Sequence, residues 1–352
     1  MNEKLRFGIV GAGVIGPTHA EAIASVPDAE LAAVADPVEG RAAKLAEQYG
    51  VRAYTDVEEM LAREPLDVVN ICTPSGMHGE QACLAMRAGK HVIVEKPMDI
   101  HLEAVDEMLR VQEEAGVKLA VISQHRFDPA AQRVHGLVQE GAFGRMVLGN
   151  AHILWWRSQE YYDSGAWRGT WELDGGGVLM NQSIHSIDLL QWLMGPVRSI
   201  RAYTDTLAHR MQTEDVAVAA LRFANGALGT IVGTTGAYPG VTTRIELLGD
   251  GGSAIIEDDE LSYLHLRRDD SGEVGPYGLG TRELSRSKNA PGTAQRATAM
   301  SAEGHARQVA DMIRAIKEDG TPSIDGRSGR HPVEIILGIY ESARTGKEVV
   351  LS

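Results

Sequence analysis

The sequence predicts an α/β protein of two domains: a doubly wound parallel sheet over residues 1–124, then an α+β domain over 125–352 built on a large, open, mainly antiparallel sheet. Three observations predict it. The stretch Phe7 to Gly16, FGIVGAGVIG, reads as a buried strand running into a glycine-rich turn and a helix. Apolar strands and helical segments then alternate to about Gln124, the pattern of a parallel sheet with crossover helices. Beyond that point strands follow one another through short polar turns such as Ala224-Asn225-Gly226, with one strong helix among them.

Gly11, Gly13 and Gly16 fit GxGxxG, the Rossmann signature of a dinucleotide site. The first glycine allows the tight turn, the second lets backbone approach a pyrophosphate, and the third lets the helix pack close to the strand. Val14 and Ile15 complete the loop, and the helix start offers unpaired N–H groups to phosphate. A second apolar run, Leu31 to Ala35, ends at Asp36, twenty residues past Gly16, where a carboxylate accepts hydrogen bonds from ribose hydroxyls. An acidic residue there predicts NAD rather than NADP, because a 2′-phosphate would meet a like charge. Arg41 is the counter-signal, able to tolerate that phosphate or to stack on adenine. The bland alternative makes Asp36 a turn residue before Pro37.

Helix formers over Glu39 to Tyr49 end at Gly50, and Val57 to Arg63 forms a shorter helix. Leu66 to Cys72 is a continuous apolar strand that stops at Thr73-Pro74-Ser75-Gly76, followed by a helix from His78 to about Ala88. His91 to Val94 is a strand that stops at Glu95-Lys96-Pro97, with a helix over Ala104 to Glu114 and a strand over Lys118 to Ser123. Ligands in such sheets sit beyond the strand carboxyl ends, where Gly11, Asp36, Thr73, Glu95, Lys96 and Gln124 fall. In the second domain a helix spans about Pro129 to Glu140. Strands follow from Arg145 to Trp156, and over Val197–Thr204, Asp215–Phe223, Leu228–Thr235, Arg244–Leu248 and Gly252–Glu257. The one strong helix among them is Asn181 to Leu193. Residues 269–298, rich in Gly, Ser, Arg and Pro, read as a loop before helices at about Ser301–Glu318 and Val333–Arg344.

At 352 residues the chain has room for two domains, and 43% hydrophobic with 23% charged residues is ordinary globular composition. A formal charge of −14 with no basic stripe argues against a nucleic-acid partner. Cys72 and Cys83 lack metal-type spacing and read as reduced core residues, so no metal is expected. The strand begins almost at once, with no basic-then-apolar leader, and no apolar run approaches a membrane span, so a cytoplasmic protein is expected.

Lys96 follows a buried strand at the ligand end of the sheet, and Pro97 constrains that turn and admits a cis bond. Its bland alternative is an exposed loop lysine. A second constellation runs from Gly175-Gly176-Gly177 into a helix whose spacing sets Asn181, His185 and Asp188 on one face. Four of the five tryptophans fall between Trp155 and Trp171, interleaved with Arg157, Tyr161 and Arg168. Stacking faces beside polar groups suit a carbohydrate, with a loop anchor or subunit contact as the alternative.

In combination these motifs resemble the Gfo/Idh/MocA family, named for glucose-fructose oxidoreductase, inositol dehydrogenase and a rhizopine-catabolism protein. The resemblance covers nearly the whole chain: the glycine loop, Thr73-Pro74 with His78, Glu95-Lys96-Pro97, Arg126-Phe127, Trp167-Arg168, the glycine-rich approach to His185, and Ile339-Tyr340-Glu341-Ser342-Ala343. It implies an NAD(P)-dependent oxidoreductase moving hydride between nicotinamide and a hydroxyl-bearing ring carbon of a sugar, sugar derivative or cyclitol. By resemblance Lys96 hydrogen-bonds the reacting oxygen and His185 carries its proton. The cofactor set becomes Gly11, Gly13, Val14, Ile15, Gly16, Asp36, Arg41, Thr73, His78, Glu95, Lys96, Gln124, Trp167 and Arg168; the substrate set is Asn181, Arg126, Arg157 and Tyr161. The resemblance also implies a homodimer or homotetramer joined through the open sheet. Many members carry aspartate where this chain has Asn181. Either His185 stays neutral and Lys96 handles the proton, or Asp174 or Asp188 supplies the missing carboxylate. Two other readings stand beside the dehydrogenase: an NAD-retaining glycoside hydrolase that oxidises its sugar transiently, and a non-catalytic NAD-binding regulator.

Overall fold

The computed structural model describes residues 4–269 and 302–352. They separate into two compact units. The first holds the chain through Gln124, the segment Ala166–Gly176 and the described residues from Ala302 to Val333; the second holds His125–Gly165, residues 177–269 and Glu334–Ser352. No helix among the described residues is long and apolar enough to cross a membrane.

In the first unit six strands form a parallel sheet: β1 (Leu5–Val10), β2 (Ala29–Ala35), β3 (Arg52–Tyr54), β4 (Val68–Ile71), β5 (His91–Val94) and β6 (Leu119–Val121). Their order is β3-β2-β1-β4-β5-β6, which reverses direction between β1 and β4. That reversal opens a crevice at the carboxyl ends of β1 and β4, where doubly wound sheets bind ligands. Phe7, Ile9, Val34, Val68 and Ile93 pack with Ile23 of α1 (Gly16–Ser25) and with Val309, Met312 and Ile313 of the helix Glu303–Lys317. Burial on both faces is why these strands read as unbroken apolar runs. α2 (Arg41–Tyr49) stops at Gly50 with φ 65°, and Asp56 caps α3 (Val57–Arg63) by accepting the Glu59 N–H. α4 (His78–Arg87) and α5 (Leu102–Ala115) follow. β3 escapes the sequence reading because it is three residues long and exposes Arg52 and Ala53, leaving no apolar run to mark it.

The second unit carries an eight-stranded sheet in the order β13-β12-β11-β7-β10-β9-β8-β14. Its strands are β7 (Met146–Leu154), β8 (Val197–Asp205), β9 (Val216–Phe223), β10 (Leu228–Thr234), β11 (Thr242–Gly249), β12 (Gly252–Glu257), β13 (Glu260–Leu266) and β14 (Val349–Val350). All neighbours pair antiparallel except β7 and β10, which run parallel. The sheet is therefore mixed. The long excursion from β7 through the helical segments and the β8–β9 hairpin supplies the crossover that a parallel pair requires. The helices are α6 (Pro129–Gln139), the short α7 (Gln159–Asp163) and α8 (Ile184–Met194), which packs on β7 and β11. The opposite face exposes Tyr203, Val218 and Leu228.

Two late helices complete the chain, α9 (Glu303–Lys317) and α10 (Gly326–Thr345). α10 begins well before the expected Val333 and runs through Pro332. A proline removes one backbone donor, and here Asp325 supports the start by accepting the Ser328 N–H at 2.8 Å. Apart from Asp269, the loop expected over 269–298 lies outside the described residues.

Candidate active site

The structure divides the predicted residues cleanly. All fourteen assigned to the cofactor fall in the first unit, and Asn181, His185, Arg126, Arg157 and Tyr161 fall in the second.

The glycine loop is shaped as its spacing requires. Gly11 has φ 99°, and a Cβ there would lie 2.6 Å from the Cys72 carbonyl carbon; one on Gly16 would lie 2.5 Å from the Gly11 oxygen. A Cβ on Gly13 would meet nothing within 4 Å, leaving open space beside the backbone. α1 has no side-chain cap on its first turn, and Val14 is exposed. Asp36 is buried; its Oδ2 accepts the Ala12 N–H at 2.8 Å and its Oδ1 the Val38 N–H at 2.8 Å. It therefore ties β2 to the loop while each oxygen retains a lone pair. Arg41 is exposed at the first position of α2. Thr73 Oγ1, beyond β4, and Gln124 Oε1, beyond β6, are both buried without a hydrogen-bond partner. Open space at Gly13, an uncapped helix start and two orphaned polar atoms fit a dinucleotide.

His78 has a different duty from the expected cofactor contact. Its Nδ1 lies 2.7 Å from the Pro97 oxygen and its Nε2 2.8 Å from the Thr73 oxygen, so the ring bridges the turns after β4 and β5. Trp167 and Arg168 are half-buried, with the guanidinium carbon 4.6 Å from the indole centroid.

The Lys96–Pro97 peptide is cis. Beneath it Glu95 is buried: Oε1 accepts from His19 Nε2 at 2.9 Å and His305 Nε2 at 3.1 Å, and Oε2 accepts the Lys96 N–H at 3.0 Å. Asn70 donates to His19 Nδ1 at 2.8 Å, which leaves the proton of that ring on Nε2. Burial lowers the His19 pKa despite the neighbouring carboxylate. Burial also works to raise the Glu95 pKa, but the hydrogen bonds from His19 and His305 hold it well below the usual carboxylate range. Lys96 is half-buried on this anchored turn. Its pKa is lowered by burial, with Glu95 and Asp174 opposing the shift and Arg168 adding to it.

In the second unit His185 sits half-buried on the first turn of α8. The preceding residues Val178–Ser183 form a wider π-type turn, so Asn181 lies ahead of α8 and the expected common α-helical face does not extend to it. Glu214 holds this turn. Its Oε2 accepts the Gly177 N–H at 3.0 Å and its Oε1 the Leu179 N–H at 2.9 Å and the Tyr340 O–H at 3.0 Å. Gly177 is required for the approach, since a Cβ there would fall 1.8 Å from the Glu214 carbonyl oxygen. Burial pushes the Glu214 carboxyl up to about 7, against its three donors. The folded state therefore keeps this proton to higher pH than the unfolded chain. Its contribution to stability is complete below about pH 4.5 and is lost as pH rises through 7, roughly 3 kcal/mol in all. Urea unfolding from pH 4.5 to 8 should show that slope in the wild type and lose it in Glu214→Gln; equal slopes would refute it.

Arg126 corrects the sequence expectation. It is 5% exposed and forms a two-pronged ion pair with Asp188 of α8, Nε to Oδ2 at 2.7 Å and Nη2 to Oδ1 at 2.5 Å. It is a strut for the histidine helix rather than a substrate group, and the pairing engages the Asp188 offered in place of a carboxylate at position 181. Asp174, the other candidate, lies in the first unit, where it accepts the Gly169 N–H at 2.9 Å. Arg157 lies over Trp155 and Tyr161, 4.9 and 5.4 Å from the ring centroids, and makes no ion pair among the described residues. Gln182 donates to the Tyr161 hydroxyl at 3.1 Å, linking this aromatic cluster to the turn before His185.

The sequence reading missed His19, His305, Glu214 and His125. His19, His305 and Glu214 meet partners far along the chain, whereas His125 has a near partner in Asp128 and meets Asp259 only through the fold.

A dinucleotide-shaped unit joined in one chain to a mixed-sheet unit bearing a histidine helix defines an NAD-binding oxidoreductase. Residues 5–123 match the oxidoreductase family with NAD-binding Rossmann fold, and residues 131–255 match the GFO/IDH/MocA C-terminal domain. The chain belongs to the Gfo/Idh/MocA family. It is 31% identical over 344 residues to myo-inositol 2-dehydrogenase of Thermotoga maritima, covering 95% of this chain and 94% of the relative. It is 27% identical over 370 residues to D-glucoside 3-dehydrogenase of Escherichia coli, covering 99% and 98%. The crystal structure of the WlbA dehydrogenase from Bordetella pertussis, in complex with NADH and UDP-GlcNAcA, superposes with a TM-score of 0.86 at 35% identity, covering 99% of both chains.

Proposed function

We propose that this chain is an NAD-dependent dehydrogenase, or in reverse a reductase, acting on a hydroxyl-bearing ring carbon of a sugar derivative. The observation that carries the reading is Lys96, half-buried on a turn anchored by ionised Glu95 at the ligand end of the dinucleotide sheet, with burial lowering its pKa. Bound NAD supplies the hydride acceptor. In this reading Lys96 hydrogen-bonds the reacting oxygen. His185 accepts the hydroxyl proton as the C–O bond becomes a carbonyl. Thr73, Gln124 and the Gly13 backbone hold the cofactor, and the buried Asp36 favours ribose hydroxyls over a 2′-phosphate.

Arg157 narrows the substrate. A guanidinium oriented by two aromatic rings and left without an acidic partner among the described residues suits a carboxylate or phosphate. The substrate in this reading is an anionic sugar derivative rather than a neutral cyclitol, in keeping with the ligand of the WlbA dehydrogenase structure. The test is a panel of nucleotide-linked uronic acids, neutral nucleotide sugars, simple pyranosides and inositols incubated with NAD. Reduced nicotinamide absorbance and product chromatography are followed together. NADH formation with anionic members alone supports the reading, and turnover of neutral members alone overturns the assignment of Arg157. Product without NADH would select the NAD-retaining hydrolase; NAD binding with no turnover would select the regulator.

A further inference from the structure

His125 occupies the short turn Gln124–Phe127, and its ring meets that of His185 edge-on, with centroids 5.1 Å apart and planes at 69°. Two carboxylates from different places in the chain converge on its Nδ1. Asp128, on the same turn, places Oδ2 at 2.8 Å, and Asp259 places Oδ1 at 3.4 Å. Asp259 is half of the two-residue connection between β12 and β13, where Asp258 and Asp259 both have positive φ, 51° and 65°. The connection is pinned to β11, since Asp258 N–H donates to the Thr243 oxygen at 2.8 Å and Asp258 Oδ1 accepts the Thr243 N–H at 2.9 Å. Asp259 is therefore held against the imidazole by a rigid hairpin.

We propose that His125 is a positioning residue that keeps His185 unprotonated, its imidazolium, anchored by Asp128 and Asp259, repelling a second positive charge on the ring it touches. The charged and titratable groups facing His125 are Asp128 on its own turn, Asp259 on the β12–β13 hairpin, and Asp188 with His185 on α8. Asp188 is paired with Arg126, which follows His125 in the chain. Burial opposes a charged His125, but the hydrogen bond to Asp128 and the charges of Asp259, Asp128 and Asp188 hold its pKa above the ordinary value. A charged ring in contact with a neutral one lowers the proton affinity of the second, which is the state a proton acceptor needs before reaction. On this geometry His185 is neutral before reaction and itself takes the proton, which differs from the Asn181 alternative in which Lys96 handles it.

The inference rests on the reading of His185 as the proton acceptor, and the experiment separates the two. Histidine-labelled protein is titrated by NMR as wild type, His125→Gln and His125→Lys, and the acid limb of kcat/KM is recorded for each with an active substrate. In the wild type His125 should titrate above His185. In His125→Gln the His185 pKa and the acid limb should both rise by about one pH unit, and in His125→Lys both should return toward the wild-type position. A His125 that is neutral where His185 titrates, or a His185 pKa unmoved in His125→Gln, overturns the inference. The first of these needs no variant and stands even if the substituted chains fail to fold. A shifted His185 pKa with an unmoved acid limb supports the coupling and instead refutes His185 as the acceptor.

Discussion

Replacing Lys96 with alanine is expected to lower turnover by about a thousandfold while leaving the dissociation constant for NADH within about threefold of wild type. The substitution removes the side chain beyond Cβ, the ammonium group and its methylene stem together, and leaves the backbone of the turn in place. The Glu95 carboxylate would still accept the residue-96 N–H, and His19 and His305 would still donate to Glu95, so the turn keeps its shape. The glycine loop, Asp36 and the orphaned Thr73 and Gln124 atoms are untouched. Steady-state turnover and fluorescence titration with NADH separate the two effects. Full activity would remove Lys96 from the mechanism, and a loss of NADH affinity equal to the loss of rate would make it a binding group only.

Breaking the Arg126–Asp188 pair is the second large effect. Arg126→Met strands a carboxylate that is 3% exposed, and Asp188→Leu strands a guanidinium that is 5% exposed. Loss of one partner of such a pair costs about 3–5 kcal/mol, because the remaining charge stays buried and uncompensated. The double variant should recover most of that, since two apolar side chains of similar volume have no charge to desolvate. Chemical denaturation of the two single variants and the double variant forms the cycle. Single variants costing under about 1 kcal/mol would show that the pair is solvated in solution and does not brace α8. The double variant also tests the correction to Arg126: with a purely structural arginine it should keep the wild-type KM.

Several features were legible in the chain itself because their causes are local. GxGxxG describes backbone constraints within ten residues: Gly11 takes φ 99°, a Cβ on Gly16 would meet the Gly11 oxygen, and one on Gly13 would meet open space. The parallel sheet was legible because strands buried on both faces leave unbroken apolar runs bounded by turns. Six of the eight strands of the second unit were legible in the sequence, as in β9, where buried and exposed residues alternate along Val216–Phe223; β13, which shows no such alternation, and the two-residue β14 were not. Nor was the parallel pairing of β7 with β10, since neither strand encodes its neighbour's direction.

The sequence by itself determined the fold class and the glycine loop with Asp36 twenty residues on, and it singled out Lys96 and His185 as candidates. Only the tertiary structure decided what surrounds them. Glu95 finds His305 across 210 residues, and Arg126 finds Asp188 across 62. The hairpin carrying Asp259 is built far along the chain from the His125 it faces. Local propensity and periodicity act over a few residues and fix which face a side chain takes. Which charge it meets there depends on how separate elements pack, and that partner sets whether a histidine or lysine is protonated.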